Sequence, residues 1–160
     1  MLRPPFPPKR LGEVAEVEFQ AIATRLGYFA CKPYGDSAPF DWIVVGAARQ
    51  VKRIQVKAAF VQHRTGYYHI NVDNVRYAGG DVDLIVGYVA PEDAWYLIPL
   101  RVIAGRASLA LYPHKPARDR LWGRYRDNWW RLGRPSVKQT KNRVAYGKAL
   151  SARPQSGRGQ

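Results

Sequence analysis

Four side chains in the N-terminal part of the chain have the types that phosphate chemistry uses: Glu16, Asp41, Gln55 and Lys57. Asp41 opens the stretch DWIVVGAARQVKRIQVK, in which two apolar-rich runs, Trp42 to Val45 and Val51 to Val56, flank a short link containing Gly46. Runs of this length, rich in Val and Ile and split by a glycine-bearing link, predict a β-hairpin. If the link from Gly46 to Gln50 turns symmetrically about Ala48, Asp41 falls opposite Gln55. Strand side chains alternate between faces, so Gln55 and Lys57 share one face while Ile54 and Val56 share the other. A carboxylate, a carboxamide and an ammonium then gather at the open end of the hairpin. That set suits a hard divalent cation and a scissile phosphate.

Hydrolysing a phosphodiester requires a cation to offset phosphate charge and an activated water. Mg²⁺ prefers oxygen ligands and usually takes only one or two carboxylates. Asp41 would supply one carboxylate, Gln55 a carboxamide oxygen and Val56 its backbone carbonyl. Glu16 would hold a metal-bound water or a second metal. Lys57 would lower the pKa of the attacking water or stabilise the pentacoordinate phosphate. Each residue also has a plainer reading. Glu16 would be a solvated acid beside Glu13 and Glu18, Asp41 a turn cap, and Gln55 and Lys57 the wet face of a strand. His63, His69 and His114 lack ligand spacing, and His69 reads as a sheet histidine.

The elements that must position these groups follow from periodicity. Leu11, Ala15, Phe19, Ile22 and Leu26 recur at helical spacing and predict a helix over residues 11–26, capped by Gly27. Its first half holds the three acids, where the helix dipole favours them, and Glu16 borders the buried stripe. Strands are expected over residues 28–33 and 67–72, with an irregular loop from Tyr34 to Phe40 and a turn from His63 to Gly66. Residues 74–79 read as a helical turn. Val82 to Val89 and Trp95 to Ile98 read as a second hairpin about Pro91-Glu92-Asp93. A short helix over 100–105 and a short strand over 107–111 follow. Leu121, Tyr125, Trp129 and Leu132 predict a second, arginine-decorated helix over 117–132. One ring of Trp129-Trp130 must then face outward as a contact.

The length of 160 residues fits one domain. The expected division is a Pro-rich arm (1–10), a domain (11–133) and a basic flexible tail (134–160). No apolar run approaches a membrane span, and the N-terminus lacks the apolar core of a secretory signal. The lone Cys31 offers no disulfide and no zinc spacing, which fits a cytoplasmic setting. The net charge of +14 is uneven. Residues 1–112 carry 13 basic and 10 acidic side chains, whereas residues 113–160 carry 13 basic ones and only Asp119 and Asp127. Such a tail points to a polyanion, first of all nucleic acid. Arg53, Arg124, Lys138, Lys141 and Arg143 are its candidate phosphate contacts.

The order G-x-x-A-E (Gly12, Ala15, Glu16), then PYGDSAPFD (Pro33 to Asp41), then RIQVK (Arg53 to Lys57) resembles the PD-(D/E)XK nuclease superfamily. More narrowly it resembles the small endonuclease family that includes bacterial group I intron homing endonucleases. It is also similar to archaeal Holliday junction resolvases. The resemblance runs from about Leu11 to Leu132. It implies an α/β, restriction-endonuclease-like fold with a mixed sheet flanked by helices, a basic C-terminal helix and tail, and Mg²⁺-dependent cleavage of double-stranded DNA, with Mn²⁺ as a substitute. Glu16 then matches the helix glutamate, Asp41 the metal-binding aspartate and Lys57 the catalytic lysine. Gln55 stands where the superfamily has Glu or Asp; the homing-endonuclease branch resembles this Q-x-K form. A symmetric homo-oligomer, dimer or tetramer, is expected for cutting both strands, in a prokaryotic cytoplasm at the nucleoid. The rival readings are a non-catalytic DNA-binding module on the same fold and a junction-resolving nuclease.

Overall fold

The computed structural model describes residues 6–35, 37–72, 80–103, 105–116 and 121–137. Among the described residues one long helix, α1 (Pro8–Arg25), precedes seven strands: β1 (Phe29–Cys31), β2 (Trp42–Val45), β3 (Val51–Ala59), β4 (Tyr68–Asn71), β5 (Leu84–Val89), β6 (Ala94–Pro99) and β7 (Ser108–Leu111). The main sheet has the order β1-β2-β3-β5-β6, and β4 pairs with β7 in a separate two-stranded ribbon. Among these described strands β3 and β5 pair in parallel and the other pairs are antiparallel. The fold is a mixed α/β arrangement with a restriction-endonuclease-like sheet flanked by a helix.

α1 starts at Pro8, earlier than its apolar stripe suggests, so Pro8 to Arg10 belong to the helix and not to an extended arm. Proline suits this first turn, where its missing N–H has no intrahelical partner. The earlier start leaves the first turn without an acid, so Glu13, Glu16 and Glu18 lie beyond the reach of the N-terminal dipole. At the other end Gly27 (φ +89) reverses the chain, with Tyr28 N–H on Ala23 O at 3.1 Å and Gly27 N–H on Thr24 O at 3.0 Å. This paired bonding closes the orphan carbonyls of the last turn.

The two faces of the main sheet carry separate cores. Ala15, Phe19 and Ala23 of α1 bury against Trp42, Val44, Ile54, Val56, Val86 and Leu97. Phe19 stacks on Trp129 with centroids 5.9 Å apart. The β4–β7 ribbon covers the other face, where Tyr68, Ile70, Leu109 and Leu111 meet Ile85, Tyr96 and Ile98. Gly87 makes this possible: a Cβ there would sit 2.9 Å from Ile70 Cδ1 and 3.1 Å from Leu111 Cδ1.

The expected second helix is not an α-helix within the described residues 121–132. Two short 3₁₀ turns, Gly123–Tyr125 and Trp129–Leu132, stand there instead. Arg126 is extended (φ −67, ψ 129) because it bridges Tyr96, and Asp127 adopts φ 50. The Asp127 N–H bonds Trp95 O at 2.6 Å, and its carboxylate accepts the Trp95 N–H at 3.0 Å. Docking on β6 thus overrides helical propensity. Tyr125, Trp129 and Leu132 are buried as the periodicity implied, but Leu121 is exposed. Trp130 is the outward ring of its pair. The helical turn expected at 74–79, residues 117–120 and most of the tail, including Lys138, Lys141 and Arg143, lie outside the described residues. Among the described residues no helix is long and apolar enough to cross a membrane.

Candidate active site

The hairpin register places the key groups. Trp42 pairs with Ile54 and Val45 with Val51, so Asp41, one residue before the strand, falls opposite Gln55. The link about Ala48 is the symmetric turn that this register requires. Ile54 and Val56 point into the core beneath α1, which leaves Gln55 and Lys57 on the face that also holds the ribbon.

β2 begins only at Trp42, paired with Ile54, while β3 runs on to Ala59. The Val56 N–H, next in line for a β2 partner, therefore has no strand opposite it. The Asp41 carboxylate takes its place: Oδ2 accepts the Val56 N–H at 2.6 Å and the Gln55 Nε2 at 2.5 Å. The same Gln55 nitrogen lies 3.4 Å from the Val56 carbonyl. The Asp41 N–H bonds Ile54 O at 2.8 Å and fixes the loop end. Three oxygen-bearing groups thus converge where the two strands part: the Asp41 carboxylate, the Gln55 carboxamide and the Val56 carbonyl.

Electrostatics ties Glu16 and Lys57 to this point. Burial pushes the Asp41 pKa up, and the Glu16 charge adds to it; the Val56 N–H, Lys57 and Gln55 act in the opposite sense, and the net shift is upward. A half-buried carboxylate held above its usual range is one that a cation would relieve. Glu16 is turned inward, with 22% of its side chain exposed, and is held by Lys32 Nζ at 2.9 Å. Sequence spacing did not single out Lys32. It reaches Glu16 because β1 lies beside α1, and its ammonium also sits 5.8 Å from the Trp42 ring centre.

Among the described residues no three His, Cys, Asp or Glu side chains form a metal cluster. The donor set here is of another composition: two carboxylates, an amide and a peptide carbonyl, all hard oxygen donors once the Gln55 amide presents Oε1. That set fits a hard divalent cation with few carboxylates. Of the other candidates, Arg53 is engaged by Asp83, with Nε at 3.2 Å and its backbone N–H at 2.8 Å from Oδ2. Arg124 is exposed and lies 5.2 Å from the Tyr125 ring centre.

A family model described as PD-(D/E)XK endonuclease matches residues 6–129. The chain belongs to the PD-(D/E)XK endonuclease family. It is also similar to a solved structure described as a bacterial homing endonuclease, I-Ssp6803I, with 27% identity, a TM-score of 0.65, and coverage of 76% of this chain and 87% of that one. No curated protein gives a significant match. The PD-(D/E)XK match takes in α1, the hairpin and β4 to β7, so every candidate site residue from Glu16 to Lys57 lies inside it.

Proposed function

We propose that this PD-(D/E)XK protein is a divalent-cation-dependent endodeoxyribonuclease of the homing-endonuclease kind, acting on duplex DNA. The observation that carries the reading is the convergence of Asp41, Gln55 and the Val56 carbonyl where β2 leaves β3, with Glu16 and Lys57 electrostatically coupled to the same carboxylate. Asp41, Gln55, Val56 and Glu16 would hold Mg²⁺, or Mn²⁺ in its place. The cation, when bound, offsets phosphate charge and makes a water nucleophilic. Lys57 directs its ammonium at the scissile phosphate and the attacking water. Glu16, once released from Lys32, would hold the attacking water or a second metal from the helix side. Val56 holds its position through the sheet, because its flanking residues are bonded on one side to β5.

The phosphate backbone is held by Arg124 and by Lys138, Lys141 and Arg143 of the basic tail, with Arg53 contributing where Asp83 releases it. In this reading the nuclease domain, which begins with α1 at Pro8, cuts and the basic tail holds the DNA, and a symmetric homo-oligomer brings two sites to opposite strands. A second reading is a DNA-binding module without turnover. It is motivated by Gln55, which is uncharged where the family pattern has an acid, and by the basic tail.

Cleavage of a random duplex library with and without Mg²⁺ tests the proposal. Mg²⁺-dependent cutting by the wild type, and none by Lys57→Ala or Asp41→Ala, is the expected result. Cutting by Asp41→Ala at the wild-type rate overturns the site. Salt-sensitive DNA binding with no cutting by the wild type supports the second reading. A four-way junction compared with linear duplex of the same sequence separates a junction resolvase.

A further inference from the structure

We propose that the β4–β7 ribbon is the sequence-reading element, entering the DNA major groove with Asn71, His69 and Ser108 toward the base edges; the proposal rests on the DNA-cleaving reading above. The ribbon's inner face is buried, but its outer face is not. Tyr68 and Ile70 point inward, whereas His69 and Asn71 are exposed. Across the ribbon His69 faces Ala110 and Asn71 faces Ser108. Within the two strands the outer face therefore presents a carboxamide, an imidazole, a hydroxyl and a methyl, and the Tyr67–Tyr112 ring pair, with centroids 5.7 Å apart, adjoins the Tyr68–Leu111 end. Among the described residues neither the His69 ring nor the Asn71 carboxamide is held by a hydrogen bond or an ion pair. Asn pairs with both the N6 and N7 of adenine, and Ser serves either base, so these are groups that read base edges.

The placement fits the dimensions of DNA. The ribbon packs over Gly87, and Gly87 is the cross-strand neighbour of Lys57. It thus stands beside the candidate active site, on the same face of the main sheet. Packed sheets lie about 10 Å apart. A major groove is about 8.5 Å deep and about 12 Å wide and admits a two-stranded β-ribbon. A ribbon raised by that height reaches the groove floor while a groove-edge phosphate descends to the level of Lys57. Cations stand at both ends of the ribbon to meet the two rims. Arg64 and Lys115 are exposed near the Tyr68–Leu111 end, and Arg106 lies near the Asn71–Ser108 end, against Trp122. Glu92, beside the first end, accepts from the Tyr68 hydroxyl at 2.9 Å and lies 3.1 Å from His114 Nε2.

The test is selection of bound duplexes from a random library by the full chain in EDTA, so that cleavage plays no part. The wild type should enrich a motif containing a fixed adenine. Asn71→Ala should lose the preference at that position by about tenfold or more while other positions persist. Asn71→Arg should change the preferred base there to guanine, a switch that misfolding cannot produce. An unchanged motif in Asn71→Ala and His69→Ala overturns the proposal, and so does a wild type that enriches no motif. In the last case Mg²⁺-dependent nicking of a plasmid by the same preparation would leave the nuclease reading standing.

Discussion

Gln55 donates its carboxamide nitrogen to the carboxylate of Asp41 at 2.5 Å, in the position where the PD-(D/E)XK pattern has a second acid. A glutamate there would confront Asp41 with a like charge and could not donate. The amide lets the centre close on itself: it bonds Asp41 as a donor, and under the proposed function it would turn about its last torsion to offer its oxygen to the cation.

Gln55→Glu should therefore lower the thermal midpoint of the metal-free protein at neutral pH, because three acids then share one half-buried notch. Mg²⁺ should raise the midpoint of this variant more than that of the wild type. Melting in EDTA and in Mg²⁺ checks both signs, and equal Mg²⁺ shifts for the two proteins would contradict the placement of residue 55 beside the cation.

Asp41 predicts a pH dependence. Its folded-state pKa is raised, chiefly by burial and then by Glu16. Its contribution to stability is thus present in full below its unfolded pKa, about 4, and is lost as the pH rises through the folded value. Asp41→Asn keeps an acceptor for the Val56 N–H but carries no charge. The metal-free variant should be more stable than the wild type at pH 7, and the gap should shrink as the pH falls toward 4. Urea denaturation across that range measures it.

The Glu16–Lys32 pair separates stability from ion affinity. With 61% of the Lys32 side chain exposed, Lys32→Ala should change stability by less than about 1 kcal/mol. It should tighten Mg²⁺ or Mn²⁺ binding, because Glu16 loses its competing cation. Titration calorimetry with Mn²⁺ checks this, and weaker binding in the variant would place Glu16 outside the ion's reach.

Residues 133–137 lie across two glycines. A Cβ on Gly46 would stand 2.6 Å from Arg134 O, and one on Gly27 2.7 Å from Val137 O. Backbone bonds hold this segment, with Ala47 N–H on Arg134 O at 2.7 Å and Val137 N–H on Gly27 O at 3.0 Å. Gly46→Ala should cost about 1–3 kcal/mol in chemical denaturation, since the obstacle is a bonded backbone carbonyl.

The hairpin was legible in the sequence because its information is local. Alternation fixes which face Gln55 and Lys57 share, and a symmetric link fixes which residue faces Asp41. α1 was legible through its stripe, although the stripe does not mark where the helix begins. The 117–132 segment misleads because Tyr125, Trp129 and Leu132 must be buried in either conformation. Gly123 and the Asp127-Asn128 pair were the signs against a continuous helix, and what decides the matter is bonding to Trp95 and Tyr96, remote in sequence. The pairing of β4 with β7 and the reach of Lys32 to Glu16 are likewise products of chain topology, which spacing does not encode.

Anomalous scattering from Mn²⁺ in crystals of the protein with duplex DNA locates the cation relative to Asp41 and Gln55. The expected result is a manganese peak ligated by the Asp41 carboxylate, the Val56 carbonyl and Gln55 Oε1, with the amide rotated from its present bond and Lys57 facing the phosphate. A manganese bound elsewhere, or Gln55 Nε2 still bonded to Asp41 in the loaded complex, would contradict it.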